Sequence, residues 1–179
     1  SILLVFLSTA WICQAIPNPV VKMHTNFGDI YIELDYQNAP VTVDNFLMYV
    51  NDGFYDGLLI HRAENRNAEN PTGLDVIQGG GIYYDPEDNY LKPKETSPPI
   101  INESDNGLSN IRGSIAMARS REAHTASSQF FINHQNNTML DYGTYPDGYG
   151  YCVFGTVVAG MYIVDSIAHT KVGAVRGLT

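Results

Sequence analysis

The body of the chain opens on alternating apolar and polar residues. Two such runs flank residues 26–29 and place an apolar side chain at every second position: Val21, Met23, Ile30, Ile32 and Leu34. Successive side chains of a strand point to opposite faces, so this period of two predicts two half-buried β-strands. The segment 26–29, Asn-Phe-Gly-Asp, carries turn-forming residues and predicts the hairpin that joins the two strands.

Two other segments have the period of a helix. In the first, Pro40 occupies a first-turn position and Gly53 ends the pattern. Apolar residues recur between them at i, i+3, i+4 and i+7, namely Val43, Phe46, Leu47 and Val50. In the second segment, Met161, Val164 and Ile167 line one face. These patterns predict two amphipathic helices.

The region between these helices consists of short apolar runs separated by Gly, Pro and Asn. The runs are LLIH, VIQGG, GSIAMAR, SQFFIN and YCVFGTVV. Because no helical pattern separates successive runs, they favour an antiparallel barrel or sandwich over a parallel α/β sheet. Residues 82–99 are rich in Pro, Asp, Glu and Lys, and this composition predicts a surface loop.

Composition and charge narrow the class of protein. The 179 residues are 44% hydrophobic and 16% charged, as expected of one folded domain and not of a disordered chain. The net charge of -9 and the ten scattered basic residues argue against nucleic acid as a partner, since phosphate binding needs clustered Lys and Arg. We read the acidity as a feature that favours solubility.

The first fifteen residues have a composition of their own. They carry no charge and are dominated by the apolar runs 2–7 and 10–12, which resemble the core of a secretory leader. This predicts an export leader at 1–15, a domain at 16–179, and a periplasmic or secreted product. The runs are too short for stable membrane insertion. The alternative is an ordered N-terminal strand in a cytoplasmic protein. Cys13 lies in this segment, so processing would leave Cys152 without a disulfide partner.

Several common kinds of site are disfavoured by spacing. The run of three glycines after Gln78 lacks the Lys-Ser/Thr of a phosphate-binding loop and is better explained as a tight bend after a strand. The five histidines have no partner at metal-ligand spacing, so no metal site is expected. Ser127 and Ser128 lie near His124 but outside any nucleophile elbow.

A family resemblance rests on seven blocks that occur in a fixed order: TNFGDIYIELD, APVTVDNFLMYVNDGFYDG, HR, QGGG, NESDNGLSNIRGSIAMARS, SSQFFIN and YGYCVFGTVVAGM. Together they resemble the cyclophilins, which are peptidyl-prolyl cis-trans isomerases, and in particular the bacterial members. The resemblance covers residues 22–172. It implies a mainly β fold, an eight-stranded antiparallel barrel capped by two α-helices, with the active site in a groove on its outer face. The chain stops before the strand that normally closes the barrel, so we expect either that the sequence is truncated there or that residues 2–8 take that edge.

The resemblance also implies functional residues. By motif, Arg62 is similar to the catalytic arginine, and Gln78 to the residue that orients it and binds a substrate carbonyl. The other implied substrate-binding residues are Val76, Ala118, Arg119, Ser120, Gln129, Phe131, Met139, Leu140 and Tyr151, with Arg119 acting through its main chain. No cofactor or metal is implied. The expected partners are proline-containing polypeptides, and the expected state is a monomer.

The chemistry of proline isomerisation explains a lone arginine. Rotation about an X-Pro bond meets a barrier of ~20 kcal/mol because amide resonance holds the bond planar. Twisting returns electron density to the imide nitrogen, so a fixed donor there stabilises the twisted state more than the planar one. An arginine can supply that donor without titrating, and neither a nucleophile nor an acid–base pair is needed.

Three departures from the family pattern bear on binding. Fifteen residues, 63–77, separate Arg62 from Gln78, more than the family's short segment, and their polar makeup predicts a loop that bulges beside the groove. Asp75 stands where an aromatic pocket wall is usual, so that wall is missing or rebuilt. Met139 replaces Trp or Phe. These changes predict weak binding of substrate and of cyclosporin. They also leave open an alternative function, a proline-peptide binding or chaperone module with weakened catalysis.

Overall fold

The fold of the chain is given by a computed structural model, which describes residues 17–66, 70–71 and 73–170. In this part of the chain the strands are β1 Val20–Thr25, β2 Gly28–Leu34, β3 Arg62–Glu64, β4 Val76–Gly79, β5 Ile82–Asp85, β6 Tyr90–Pro93, β7 Ser114–Met117, β8 Phe130–Asn133 and β9 Val153–Ala159. The α-helices are α1 Pro40–Asn51 and α2 Met161–Ala168, and Thr138–Leu140 form a 3-10 turn. Neither α-helix is long or apolar enough to cross a membrane.

Seven of the described strands form one sheet. Their order is β1-β2-β9-β7-β8-β4-β3, and every pairing is antiparallel. The sheet curls into a half-barrel with the two helices packed against it. The prediction of a mainly β, antiparallel, barrel-like fold with two helices is therefore confirmed. The residues predicted as a leader or edge strand, and those after 170, lie outside the described part of the chain.

The predicted hairpin and helices form where the patterns place them. β1 and β2 pair from Val20 opposite Glu33 to Thr25 opposite Gly28, and α1 begins at Pro40. The start of α2 depends on a glycine: Gly160 has φ of 90°, and a Cβ there would lie 2.5 Å from the carbonyl oxygen of Asp29. Only glycine fits so close to β2, and the contact seats α2 on the sheet.

The core lies on the concave face of the sheet. Its fully buried aliphatic side chains come from β2, β4, β7 and β8, and Phe46 of α1 and Phe154 of β9 meet with ring centroids 5.2 Å apart. The fully buried members on the strands are Ile30, Ile32, Leu34, Ile77, Ile115 and Ile132. Because alternate residues of each strand face inward, the residues between them form a second, outward-facing surface.

One segment differs from its sequence-based prediction. Residues 82–99 were expected to be a loop, but β5 and β6 within it pair as a separate hairpin from Ile82 opposite Pro93 to Asp85 opposite Tyr90. Leu91 is buried, and Lys92 pairs with Asp85 at 2.7 Å. The polar turn residues dominated the composition and concealed two short strands with apolar or aromatic residues.

Candidate active site

A row of side chains crosses four neighbouring strands on the outer face of the sheet. Arg62 of β3 lies opposite Gln78 of β4, Gln78 opposite Phe131 of β8, and Phe131 opposite Ala116 of β7. Residues directly opposite one another in antiparallel strands share a face, so the register alone aligns these four. Arg62 Nη1 donates to Gln78 Oε1 at 3.3 Å, and Gln78 Nε2 donates to Gln129 Oε1 at 3.0 Å.

Apolar side chains surround this row. The buried ones are Val76, Ala116, Phe131, Leu140 and Val153, and the partly buried ones packed against them are Leu74, Leu108, Ala118, Tyr145 and Tyr151. The rings of Phe131 and Tyr151 meet edge to face at 5.7 Å. Burial raises the pKa of the Tyr151 phenol to about 12, so the hydroxyl stays neutral. The surface suits a small apolar ring beside a cation.

Arg119 packs beside this apolar cluster. Its side chain is 2% exposed, its guanidinium lies 4.7 Å from the ring centroid of Tyr151 and 5.4 Å from that of Tyr145, and its Nε donates to the carbonyl oxygen of Gly150 at 2.9 Å. It also pairs with Asp147 at 2.5 Å. These contacts hold the guanidinium within the fold.

Hydrogen bonds hold residues 118–120 in place. The amide of Ala118 donates to the carbonyl oxygen of Gln129 at 2.9 Å, and the amide of Ser120 donates to Thr125 Oγ1 at 3.0 Å. Ala118 packs on the apolar surface, whereas Ser120 is exposed. Residues 118–120 therefore leave the sheet beside the apolar surface.

The pocket wall that Asp75 was expected to lack is supplied by Leu74. Leu74 packs against the apolar surface that contains Phe131. Asp75 is 7% exposed and accepts a hydrogen bond from the amide of Arg66 at 2.8 Å, with Arg66 Nη2 3.5 Å away. The apolar contact on this side of Phe131 therefore comes from the residue that precedes Asp75. Leu74 is the one large apolar residue between positions 64 and 75, and this feature of the sequence could have identified it as the wall residue.

Hydrogen bonds anchor the described ends of the loop after β3. Arg66 Nε donates to the carbonyl oxygen of Gly73 at 3.0 Å, and Arg66 Nη2 donates to Asn137 Oδ1 at 3.0 Å. Asn137 is fully buried and also receives the amide of Asp75 at 3.2 Å. Hydrogen bonds thus take the place of the apolar core that the loop cannot form.

Glu64 contacts both the arginine and the loop, and the sequence did not indicate this role. One carboxylate oxygen pairs with Nη2 of Arg62, and the other accepts hydrogen bonds from the Leu74 amide at 3.1 Å and Asn70 Nδ2 at 3.0 Å. Burial alone would raise the pKa of Glu64, but the hydrogen bonds from Leu74 and Asn70 and the charge of Arg62 outweigh burial and lower it. The carboxylate is therefore ionised at neutral pH.

Comparison with known proteins decides the family. Residues 20–177 match the model of the family described as cyclophilin type peptidyl-prolyl cis-trans isomerase/CLD. The chain is 46% identical over 151 residues to peptidyl-prolyl cis-trans isomerase A of Dickeya dadantii, covering 84% of this chain and 72% of that protein. It is 45% identical over 155 residues to peptidyl-prolyl cis-trans isomerase B of Escherichia coli, covering 86% and 87%.

The chain belongs to the cyclophilin-type peptidyl-prolyl cis-trans isomerases.

A solved structure agrees with this assignment at the level of the fold. A cyclophilin type peptidyl-prolyl cis-trans isomerase of Cryptosporidium parvum, crystallised in the presence of the dipeptide Ala-Pro, matches with a TM-score of 0.62 and 24% identity. The match covers 84% of this chain and 85% of that one. The predicted resemblance to bacterial cyclophilins is confirmed by the sequence comparisons.

Most of the residues predicted for the site of this cyclophilin lie on one outer surface. Arg62, Gln78 and Gln129 form its polar edge. The apolar predicted residues in its main cluster are Val76, Ala118, Phe131, Leu140 and Tyr151. Met139 lies at the rim, 40% exposed, and its sulfur is 4.0 Å from Arg66 Nη2. Leu74 and Glu64 are the two contributors that sequence reasoning missed.

Proposed function

We propose that the groove over Arg62, Gln78 and Phe131 is where this cyclophilin isomerises X-Pro bonds, with Arg62 as the catalytic residue. The observation that carries the proposal is the cross-strand row, which places a cation, an orienting amide and an aromatic floor on adjacent strands. The Cryptosporidium parvum cyclophilin crystallised in the presence of Ala-Pro supports a proline-containing peptide as the ligand.

Arg62 acts on the twisted imide. As the X-Pro bond rotates, the imide nitrogen regains its electron pair, and the guanidinium donates a hydrogen bond to it. The bond is absent in the planar ground state, so it lowers the barrier without tightening substrate binding. A thousandfold acceleration requires about 4 kcal/mol, whereas one charge-assisted hydrogen bond contributes about 1.5–3 kcal/mol. The rest must come from orientation of the peptide.

Orientation is the task of the apolar floor and of the extended segment beside it. The proline ring packs on Phe131, between Leu74 and Leu140, while the peptide backbone follows Ala118, Arg119 and Ser120. Gln78 contributes twice, because it holds Arg62 through Oε1 and lies next to the position of a substrate carbonyl. Holding the reacting bond in one place converts binding energy into rate.

Replacement of Arg62 by alanine tests this assignment. We expect Arg62→Ala to lower kcat/KM on a short X-Pro peptide about 100-fold, the loss of one strong charge-assisted hydrogen bond. The rate is measured by NMR exchange, at matched folded fraction by circular dichroism. Arg112→Ala is the matched control: the side chains of Arg62 and Arg112 are 46% and 40% exposed and each pairs with one carboxylate. Equal rates for wild type and Arg62→Ala would remove Arg62 from catalysis.

A second candidate function is proline-peptide binding with weakened catalysis. The observation that favours it is the ion pair between Arg62 and Glu64, because this pair uses an N–H donor of the Arg62 guanidinium. The same NMR experiment separates the two functions. A pure binder shifts the resonances of the peptide without accelerating exchange between its cis and trans forms, whereas an isomerase does both.

The groove also bears on inhibitor binding. We propose that cyclosporin binds this protein only weakly, because Met139 is an exposed thioether at the rim and Leu74 offers less contact area than an aromatic wall. Calorimetric titration measures the affinity. A nanomolar Kd in the wild type would show that Leu74 and Met139 fill the pocket as well as aromatic residues do.

The cellular setting is a separate proposal. The uncharged apolar run before Ile16 supports export to the periplasm or beyond, with a monomeric product that begins near Ile16. N-terminal sequencing of the fractionated product, expressed from its native start, tests the first point, and light scattering tests the second. An intact cytoplasmic chain with residues 1–15 protected from protease would favour a structural segment instead.

A further inference from the structure

The carboxylate of Glu64 divides its two oxygens between two parts of the groove. Oε2 pairs with Nη2 of Arg62. Oε1 accepts from the backbone amide of Leu74 and from the side-chain amide of Asn70, at 3.1 and 3.0 Å. One side chain therefore contacts both the candidate catalytic group and the loop that supplies the apolar wall.

Glu64 itself is held on both sides. Arg62 and Glu64 are two residues apart on β3, so both point to the outer face of the sheet. The carbonyl oxygen of Glu64 lies 3.0 Å from Nε2 of His134, a residue that is 2% exposed, and the Glu64 side chain is 19% exposed. A carboxylate that is largely screened from water and fixed at its backbone loses less to side-chain entropy than an ordinary surface ion-pair partner.

The two contacts made by Arg62 fix the orientation of its guanidinium. Nη1 is held by Gln78 and Nη2 by Glu64, and two points define the direction of a planar group. The Nε–H takes part in neither contact. A guanidinium has five N–H donors, so these two contacts leave three for a substrate.

We propose that Glu64 is a positioning residue that fixes the Arg62 guanidinium and the Leu74 wall in one shared arrangement. This inference rests on the proposed catalytic role of Arg62. Both carboxylate oxygens are needed, because each faces N–H donors. A glutamine at position 64 has only one oxygen, so its NH₂ group must face either Arg62 or the Leu74 amide, and one of the two contacts is lost. The other contact is weakened, because the glutamine oxygen carries no charge.

The proposal predicts a characteristic kinetic pattern. Glu64→Gln should lower kcat about tenfold, because the guanidinium is no longer fixed. It should also raise KM about threefold, because the loop that carries Leu74 is no longer tied to β3. Asp29→Asn is the matched control, since Asp29 pairs with His24 and Lys22 at the β1–β2 end of the sheet. It should leave both constants unchanged.

A double-mutant cycle separates positioning from general structural damage. If Glu64 acts through Arg62, then Glu64→Gln should cost tenfold in kcat in the wild-type background and less than twofold in the Arg62→Ala background. A rise in KM should persist in both, because the hydrogen bond from the Leu74 amide loses its charged acceptor in either background. An equal loss of kcat in both backgrounds would overturn the proposal. So would wild-type kinetics for Glu64→Gln alone, and in that case an inactive Arg62→Ala would leave the proposed function standing.

A measurement on the wild type covers the case in which Glu64→Gln does not fold. Fixation at two points should slow rotation about the Cζ–N bonds of Arg62, so its Nη protons should give separate NMR signals at low temperature. The signals are assigned by their loss in Arg62→Ala. Averaged Nη signals in the wild type, like those of the exposed Arg121, would overturn the proposal whatever the variants do.

Discussion

The two faces of β4 and β8 differ in chemistry although they share the same backbone. On the inner face Ile77 lies opposite Ile132, and both are essentially fully buried in the core. On the outer face, one residue further along, Gln78 lies opposite Phe131. The inner pair packs in the apolar core. On the outer face, the amide of Gln78 accepts a hydrogen bond from Arg62, and the ring of Phe131 packs edge to face on Tyr151.

This difference shows how the period of a strand separates stability from function. The inner residues contribute mainly through apolar area removed from water, which is the dominant favourable term in folding. The outer residues keep a half-buried amide and a cation on the surface, where they add little to stability. Substitutions on the two faces should therefore affect different measurements.

The largest expected effect is on the inner face. Ile132→Ala removes a fully buried side chain from the core, and such truncations cost about 2–5 kcal/mol. The free energy of unfolding from urea titration measures this loss. At matched folded fraction, kcat/KM should stay within about twofold of the wild type. A tenfold fall in kcat/KM with little loss of stability would mean that the two faces are not separable.

A smaller effect is expected on the outer face. Gln78→Ala deletes the partner of Arg62 Nη1 and should lower kcat/KM about tenfold, which corresponds to about 1.4 kcal/mol. Its free energy of unfolding should change by less than about 1 kcal/mol, as for one net hydrogen bond. The exposed Gln135→Ala serves as the control. A stability loss as large as that of Ile132→Ala would assign Gln78 to the core.

The parts of this comparison that sequence alone predicted are the local ones. Periods of two and 3.6 residues predicted the first hairpin and both helices, because each pattern reflects which face of one element is buried. The family resemblance brought Arg62, Gln78 and Phe131 together in advance. The register then explains why they meet, since each lies opposite the next across β3, β4 and β8.

The parts that sequence did not predict depend on contacts across the loop. Composition showed that residues 63–75 are polar, but not that Asn137, distant in sequence, would receive the side chain of Arg66. The sequence placed Asp75 at the position of the usual aromatic wall and left open whether that wall is missing or rebuilt, and it did not single out Leu74. Glu64 looked like one more polar loop residue, since nothing local distinguishes a carboxylate with three donors from a solvated one.

The stability of the fold should also depend on pH through His61, which directly precedes β3. Burial lowers the pKa of His61, and the charge of Arg62 lowers it further, although a hydrogen bond with the Leu59 backbone opposes this. His61 therefore takes up a proton near pH 6.5 in the unfolded chain, whereas in the folded chain it stays neutral to a lower pH. The stability due to neutral His61 is fully present above that pH and is lost as the pH falls toward the lowered pKa of the folded state.

Urea titrations between pH 8 and pH 5 measure this effect. The free energy of unfolding of the wild type should fall more steeply below pH 6.5 than that of His61→Gln, which cannot take up a proton there. The rate of isomerisation per folded molecule should not follow the same curve, since His61 is not placed in the chemistry. Parallel curves for the two proteins would show that His61 titrates equally in both states.

The smallest effect concerns the rim of the outer face, where Met139 is 40% exposed. A flexible thioether covers the edge of the groove less completely than a flat ring, and aromatic contacts add about 0.5–1.5 kcal/mol beyond their buried area. Met139→Trp should therefore tighten cyclosporin binding roughly two- to twelvefold, while the free energy of unfolding stays unchanged because the site is already solvated. Calorimetric titration of both proteins measures the ratio, with the exposed Tyr162→Trp on α2 as control. If Met139→Trp binds no better than the wild type, Leu74 and Phe131 already determine the affinity, and the rim contributes only to the shape of the groove.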